Sequence, residues 1–269
     1  MRKNVFMLAA LVVFAACSKD DPNEPKNQNN DKYFGTPNGS FWVYSNDSIA
    51  LDDGIHPLNK FDTLKQIKDV NYLGLNAKLM EHYFYNAFTG LANTSEYFKY
   101  ENGSKVYVSK EFLGLFMPNF LVNFLDGLPD TVKIADGNAK EWHLAEINAP
   151  DLDLSNFPDI PNAISKISGK FKIGFTRGDD AMKYGYNTNS FTMKIVFAGN
   201  LETAFPIPIP FETSFSEVEF YFSTGKGLIE VVAKPMEIKA SVTVLGTPVE
   251  YPLTNNTGIK KTLTFTNVK

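Results

Sequence analysis

The chain has 269 residues, a formal net charge of −4, 14% aromatic residues, three histidines and one cysteine. A mildly acidic balance argues against nucleic acid as an electrostatic partner, and a single thiol excludes an internal disulfide framework or a thiolate zinc site. Arg2 and Arg177 are its only arginines, so bidentate clamps on phosphate or carboxylate are not a general device of this chain.

In chain order, Arg2 and Lys3 give a cationic start, and the run Val5–Ala16 that follows is wholly apolar. As a helix this run rises only about 18 Å against a hydrocarbon core of about 30 Å, so it does not span a membrane. A charged start, a short apolar core and small residues at its end are the parts of a secretory signal. Phe14-Ala15-Ala16-Cys17 places the lone cysteine at the cleavage point. This resembles the lipobox of bacterial lipoproteins, which implies cleavage before Cys17, acylation of its sulfur by palmitate-like chains, and acylation of the new amine. Cys17-Ser18-Lys19-Asp20-Asp21 in turn resembles the export signal of surface-exposed outer-membrane lipoproteins of the Bacteroidota type. Lys19, Asp20 and Asp21 then carry the address, and the expected location is the cell surface. Three acyl chains, at about 0.8 kcal/mol per buried CH₂, exceed the two-signal threshold for stable anchoring. Loss of Arg2 and Lys3 with residues 1–16 takes the formal charge from −4 to −6.

Residues 17–33 form the expected lipidated tether: Asn, Asp, Lys and Pro dominate, and nothing aliphatic is present to offset the entropy of ordering. Residues 34–269 are expected to be a single β-rich domain, opening at Gly39-Ser40-Phe41-Trp42-Val43-Tyr44. That opening resembles those of other lipoproteins of the same group and implies no function.

From there period-two alternation dominates. Phe171, Ile173 and Phe175 face one way; so do Phe191, Met193, Ile195 and Phe197; so do Val218, Phe220 and Phe222. Residues 238–244 and 259–268 continue the pattern, and turn signals such as Asn102-Gly103 and Thr224-Gly225-Lys226-Gly227 separate the runs. Such alternation marks half-buried antiparallel strands. The expected fold is therefore all-β with minor α: an antiparallel meander curved into a half-barrel or sandwich, with a short apolar helix packed on one face. Leu201–Phe215 carries Pro206, Pro208 and Pro210 at one parity. It reads either as an edge strand blunted on one side or as a polyproline II loop. Pro118–Leu125 predicts a short helix, and 149–168 a long loop with a helical turn at 163–167.

Signals of chemistry are sparse. His56, His82 and His143 lack ligand spacing, and no nucleophile elbow, phosphate loop or dinucleotide fingerprint occurs. No metal, cofactor or catalytic residue is expected. A carboxylate pair of a hydrolase remains open, because such a pair is placed in space rather than in sequence. Arg177-Gly178-Asp179 spells an integrin-type tripeptide but reads foremost as a turn. Asp47-Ser48-Ile49, Asp62-Thr63-Leu64 and Asp130-Thr131-Val132 each resemble the O-glycosylation acceptor of exported Bacteroidota-type proteins, with Ser48, Thr63 and Thr131 as the hydroxyls. The apolar stretch 112–128, with Phe112, Phe116, Phe120 and Phe124, reads as core or as a lid over an apolar ligand. Trp42 and Trp142 could stack on sugars. The expected function is a non-enzymatic surface lipoprotein that binds an apolar or glycan ligand. The alternative is an accessory subunit docking an outer-membrane partner protein.

Overall fold

The structure is a computed structural model that describes residues 32–34, 36–86, 91–116, 123–148, 152–153, 164–203, 209–244 and 247–268. Cys17, Lys19, Asp20, Asp21 and Phe120 lie outside them.

Five strands come first: β1 (Phe41–Ile49), β2 (Ile55–Tyr72), β3 (Leu75–Asn86), β4 (Leu91–Asn102) and β5 (Lys105–Ser109). A one-turn helix α1 (Glu111–Gly114) and a 3₁₀ turn (Asn123–Gly127) precede β6 (Thr131–Asp136) and β7 (Glu141–Asn148). Then come β8 (Leu152–Asp153), β9 (Ile164–Arg177), β10 (Ala181–Lys183), β11 (Tyr186–Thr203), β12 (Ile209–Ser223) and β13 (Gly227–Ala233). The chain ends on β14 (Met236–Val244), β15 (Thr247–Asn256) and β16 (Gly258–Thr266).

Twelve strands lie in the order β6-β5-β4-β3-β2-β1-β16-β13-β12-β11-β9-β7, all pairs antiparallel, while β14 and β15 pair as a separate hairpin. The two ends of this sheet, β6 and β7, are neighbours in sequence, so a short turn brings them together. Trp142 Nε1 on β7 donates to Lys133 O on β6 at 2.9 Å, and Arg177 on β9 donates from its backbone to Lys140 O at 2.7 Å and from its guanidinium to Gly137 O. The sheet is thus curled nearly closed, as a barrel-like wall rather than a flat meander.

Alternation decides what fills it. Trp42 and Tyr44 on β1, Leu64 on β2, Met80 on β3, Tyr97 on β4, Phe171, Ile173 and Phe175 on β9, and Phe191, Met193, Ile195 and Phe197 on β11 all point inward and are buried in one cluster. Phe112 joins this cluster, 5.0 Å from Tyr97, and Phe116 lies 5.5 Å from Phe220. Of the two readings of the apolar stretch, these two residues are core. Such ring pairs add roughly 0.5–1.5 kcal/mol each beyond area burial.

Two local expectations are corrected, and a third lies mostly outside the described residues. Of the helix predicted over 118–125, residues 123–125 belong to the 3₁₀ turn, and 118–122 lie outside the described residues. The helical turn at 163–167 is strand: β9 begins at Ile164, and Ile167 pairs with Leu201 of β11. A ladder with a long neighbour overrides weak local preference. Leu201–Phe215 is not one strand but the two arms of the β11–β12 hairpin, with Leu201 opposite Ile209 and Asn200 opposite Pro210. Pro210 still sits where β12 has β11 on one side only, since its ladder with β13 starts at Val218.

Tyr33, Phe34 and Thr36 close one end of the barrel. Phe34 packs edge-on against Trp42 (5.4 Å) and Phe222 (5.8 Å). Gly227 lies beneath it at φ +86°, and a Cβ there would stand 2.6 Å from the Phe34 ring. Gly227→Ala should therefore cost about 1–3 kcal/mol through combined backbone strain and overlap. The check is a Tm lowered by several degrees, with Gly225→Ala (φ +71°, nothing within 4 Å of its Cβ) losing less.

Candidate functional site

The barrel interior carries polar groups at its two ends and aromatic rings between them. At the closed end Lys99 is buried, its Nζ 3.8 Å from the centre of the Phe34 ring and 3.2 Å from Gln66 Oε1. Gln66 Nε2 donates to Thr36 O at 2.8 Å, and Phe34 N–H donates to Glu101 Oε1 at 2.8 Å. Burial pushes the Lys99 amine down to about 7, and burial likewise raises the Glu101 carboxyl. Phe34 and Thr36 are thereby fastened to the barrel by hydrogen bonds to Glu101 and Gln66.

At the other end Asp62 on β2 is buried among three donors. His82 Nε2 on β3 stands 2.8 Å from Asp62 Oδ1, Asn46 Nδ2 on β1 donates to Asp62 Oδ2 at 3.0 Å, and Lys261 Nζ on β16 donates to the same oxygen. Burial alone would raise the Asp62 carboxyl. The His82 hydrogen bond and the Lys261 charge outweigh it and bring the group down to about 2. His82 Nδ1 lies 3.3 Å from Ser95 Oγ on β4. Between these ends the void bounded by Tyr44, Leu64, His82, Phe116 and Lys261 measures about 10 Å³, room for about one water.

The larger space is outside. An open trough of about 500 Å³ runs across the outer face of β7, β9, β11 and β12, lined by Glu141, His143, Lys172, Thr176, Lys194 and Glu212. Lys172 and Glu212 approach to 3.8 Å across it. Gly174 forms its floor, directly between His143 on one neighbouring strand and Lys194 on the other. A Cβ at Gly174 would meet only Trp142 O, at 3.5 Å, and its φ is not in the left-handed region. Neither packing nor backbone geometry requires glycine there. A bare strand position of this kind marks a place where a ligand or another backbone comes close.

Among the residues singled out from sequence, Phe112 and Phe116 are brought together in the core, while Phe124 falls in the 3₁₀ turn. Ser48 lies in β1, its hydroxyl donating to His56 O at 3.3 Å. Thr63 sits mid-strand in β2, opposite Val43 and Tyr83, and Thr131 opens β6. The three acceptor hydroxyls are thus on separate strands. Trp42 is fully buried, and Trp142 stacks flat on Phe175 (5.2 Å, 4°), so neither ring offers a free sugar-stacking platform. The Arg177 guanidinium is engaged by Gly137 O and by Asp180 at 3.1 Å, which keeps it from standing out as a free recognition group. Among the described residues no three His, Cys, Asp or Glu groups could hold a metal ion, and no helix is long and apolar enough to cross a membrane. The trough was missed in sequence because four strands contribute to it; the interruption of the β9 pattern by Gly174 was the available signal.

No family model and no curated protein matches the chain. Among solved structures it is similar to a protein of Bacteroides fragilis described as exported, with a YmcC-like fold: TM-score 0.41, 9% identity, over 88% of this chain and 99% of that one. It is also similar to a protein of Parabacteroides distasonis described as a lipoprotein: TM-score 0.35, 11% identity, over 88% of this chain and 99% of that one. Likeness at this level assigns the chain neither a family nor a function.

Lys99 makes a pH prediction. In the unfolded chain its amine holds a proton up to about 10.4, whereas in the fold it loses it near 7. Between those values the unfolded state binds more protons, so stability rises with pH; below 7 the cost of the buried charge is fully present. Tm should climb from pH 7 to 9. In Lys99→Met it should be higher at pH 7 and flat over the same range.

Proposed function

We propose that this protein is a surface-exposed outer-membrane lipoprotein, held by acyl chains on Cys17, whose β body binds a neutral saccharide in the outer trough without turning it over. The observation that carries the ligand reading is the glycine-floored trough, beside a core that the described residues pack into one cluster. An apolar ligand needs an enclosed cavity of roughly 300–1,000 Å³, and the void at the barrel's polar end is about 10 Å³. The trough, at about 500 Å³, has the right size. Its lysines and glutamates balance in charge, and they supply donors and acceptors in alternation. Sugar hydroxyls, which both donate and accept, fit such a lining better than an ion does.

A second reading has its own observation. Phe61, Tyr85 and Phe265 are 41%, 47% and 58% exposed on the outer face of β2, β3 and β16. Aromatic groups of this kind are what a docked outer-membrane protein would cover. Crosslinking on intact cells that captures one such protein through this face would favour the accessory role.

Two experiments test the main reading. Cys17→Ala should move the protein from the membrane to the soluble fraction, while alanines at Lys19, Asp20 and Asp21 should keep it anchored but shielded from protease added to cells. On a glycan array, the full-length Cys17→Ala chain should bind neutral oligosaccharides. Adding Gly174→Val should weaken that binding at least tenfold, about 1.4 kcal/mol, with Tm unchanged. Recovery of a tightly held lipid by organic extraction, together with an empty array, would refute the saccharide reading.

A further inference from the structure

Separate from the trough, and independent of the saccharide reading, is the chain of groups Asp62, His82 and Ser95 at the end of the barrel opposite Phe34. The hydrogen bonds select its tautomer. Asp62 is held as a carboxylate by Lys261 and Asn46 and can only accept, so the His82 Nε2 that lies 2.8 Å from it carries a proton. In the neutral ring the lone pair is then on Nδ1, which faces the Ser95 hydroxyl at 3.3 Å. A base oriented by a buried carboxylate and aimed at a hydroxyl is the arrangement that activates a serine. The nitrogens are used in the reverse of the common order, which leaves the logic unchanged. His82 is buried, whereas Ser95 is exposed, so the base is screened and the nucleophile is accessible.

The strand edge supplies a further part. Phe98 N–H donates to Ser109 Oγ, on the β5 side of β4. Backbone N–H groups alternate along a strand, so Glu96 N–H points the same way, away from β3. The β4–β5 ladder begins only at Lys99. Glu96 N–H, one residue beyond the hydroxyl, therefore has no ladder partner among the described residues. A free N–H on the residue after a nucleophile is where an oxyanion is held.

We propose that Ser95 is an activated nucleophile that takes a short acyl group from an ester of a neutral alcohol. In the step, Ser95 Oγ bonds to the acyl carbon while its proton passes to His82 Nδ1. The carbon–oxygen bond to the alcohol breaks, and the departing alkoxide takes that proton from His82, leaving acyl-Ser95 and a neutral imidazole. The void that His82 lines, walled by Leu64, Leu115 and Phe116, holds about 10 Å³, room for about one water, so no acyl chain threads into the barrel there and only a short acyl group held outside, at the exposed Ser95, is accommodated. Glu81 and Glu96, opposite one another on the adjoining strands but on the other face of the sheet, put negative charge next to Ser95 along the chain and so disfavour an anionic alcohol.

The test uses the full-length protein and a fluorophosphonate probe, which bonds phosphorus to an activated serine oxygen and expels fluoride. Mass spectrometry should find the adduct on Ser95, formed at least 100-fold faster than on Ser48, which faces His56 across the ladder but bonds its backbone carbonyl at 3.3 Å rather than an imidazole nitrogen. His82→Gln keeps one donor for Asp62 and one acceptor for Ser95 but has no basic nitrogen. Labelling of Ser95 should fall about 10²–10⁴-fold in that variant with Tm retained. Ser95 and Ser48 reacting alike in the unaltered protein, or Ser95 labelling undiminished in folded His82→Gln, would overturn the proposal. The first comparison stands even where the variant does not fold.

Discussion

Everything in this fold depends on the pairing of the first strand with the last. β1 lies against β16 from Trp42 to Ile49 and from Gly258 to Thr266, and that ladder joins two meanders that would otherwise be separate sheets. Contacts of this sequence separation cost the most chain entropy to close. They are rewarded only when the joined sheet can curl and bury a common core. The ion pair between Lys261 and Asp62 straddles the same junction, 199 residues apart in sequence, so the polar cluster exists only once the ladder has formed.

Buried charges at both ends explain how the strands keep their register. A carboxylate or amine taken out of water loses hydration worth several kcal/mol, and an ion pair recovers little more than that. Asp62 and Glu230 are therefore weak sources of stability, and Lys99 is a net cost while it is charged. Their effect lies in what they forbid. A one-residue slip of β2 against β1 would turn Asp62 outward and leave Lys261 buried without its partner. On the outer face Glu230 does similar service, receiving Lys183 at 2.8 Å and Lys260 at 3.3 Å and fastening the β10–β11 hairpin over β13 and β16.

The curl also divides the labour of the two surfaces. Inside, rings from distant strands pack into one cluster, and Tyr33, Phe34 and Thr36 close one end. Outside, the described strands present mostly polar side chains, with Phe61, Tyr85 and Phe265 as exposed exceptions, and function has to be sought there or at the other end. The two sites argued above follow this division: Gly174 leaves a gap in the outer face, and Ser95 stands where an inward-facing column reaches the rim.

Several features were legible in the chain alone. Period-two runs such as 171–175, 191–197 and 218–222 named strands and their inward residues correctly, because a half-buried strand writes its two environments into alternate positions. Charge, apolar length and the place of Cys17 are what the proposal of an exported, anchored protein rests on, since a signal segment is recognised by local composition. What only the tertiary structure decided was which strands are neighbours. The hairpin that splits 201–215, the conversion of 164–167 to strand, the meeting of Asp62 with His82 and Lys261, and the trough over Gly174 all depend on pairing between segments far apart in sequence. Alternation tells a residue which face it takes, but the ladder that sets its cross-strand neighbour is a long-range choice made by burial of the whole core, and no local pattern encodes it.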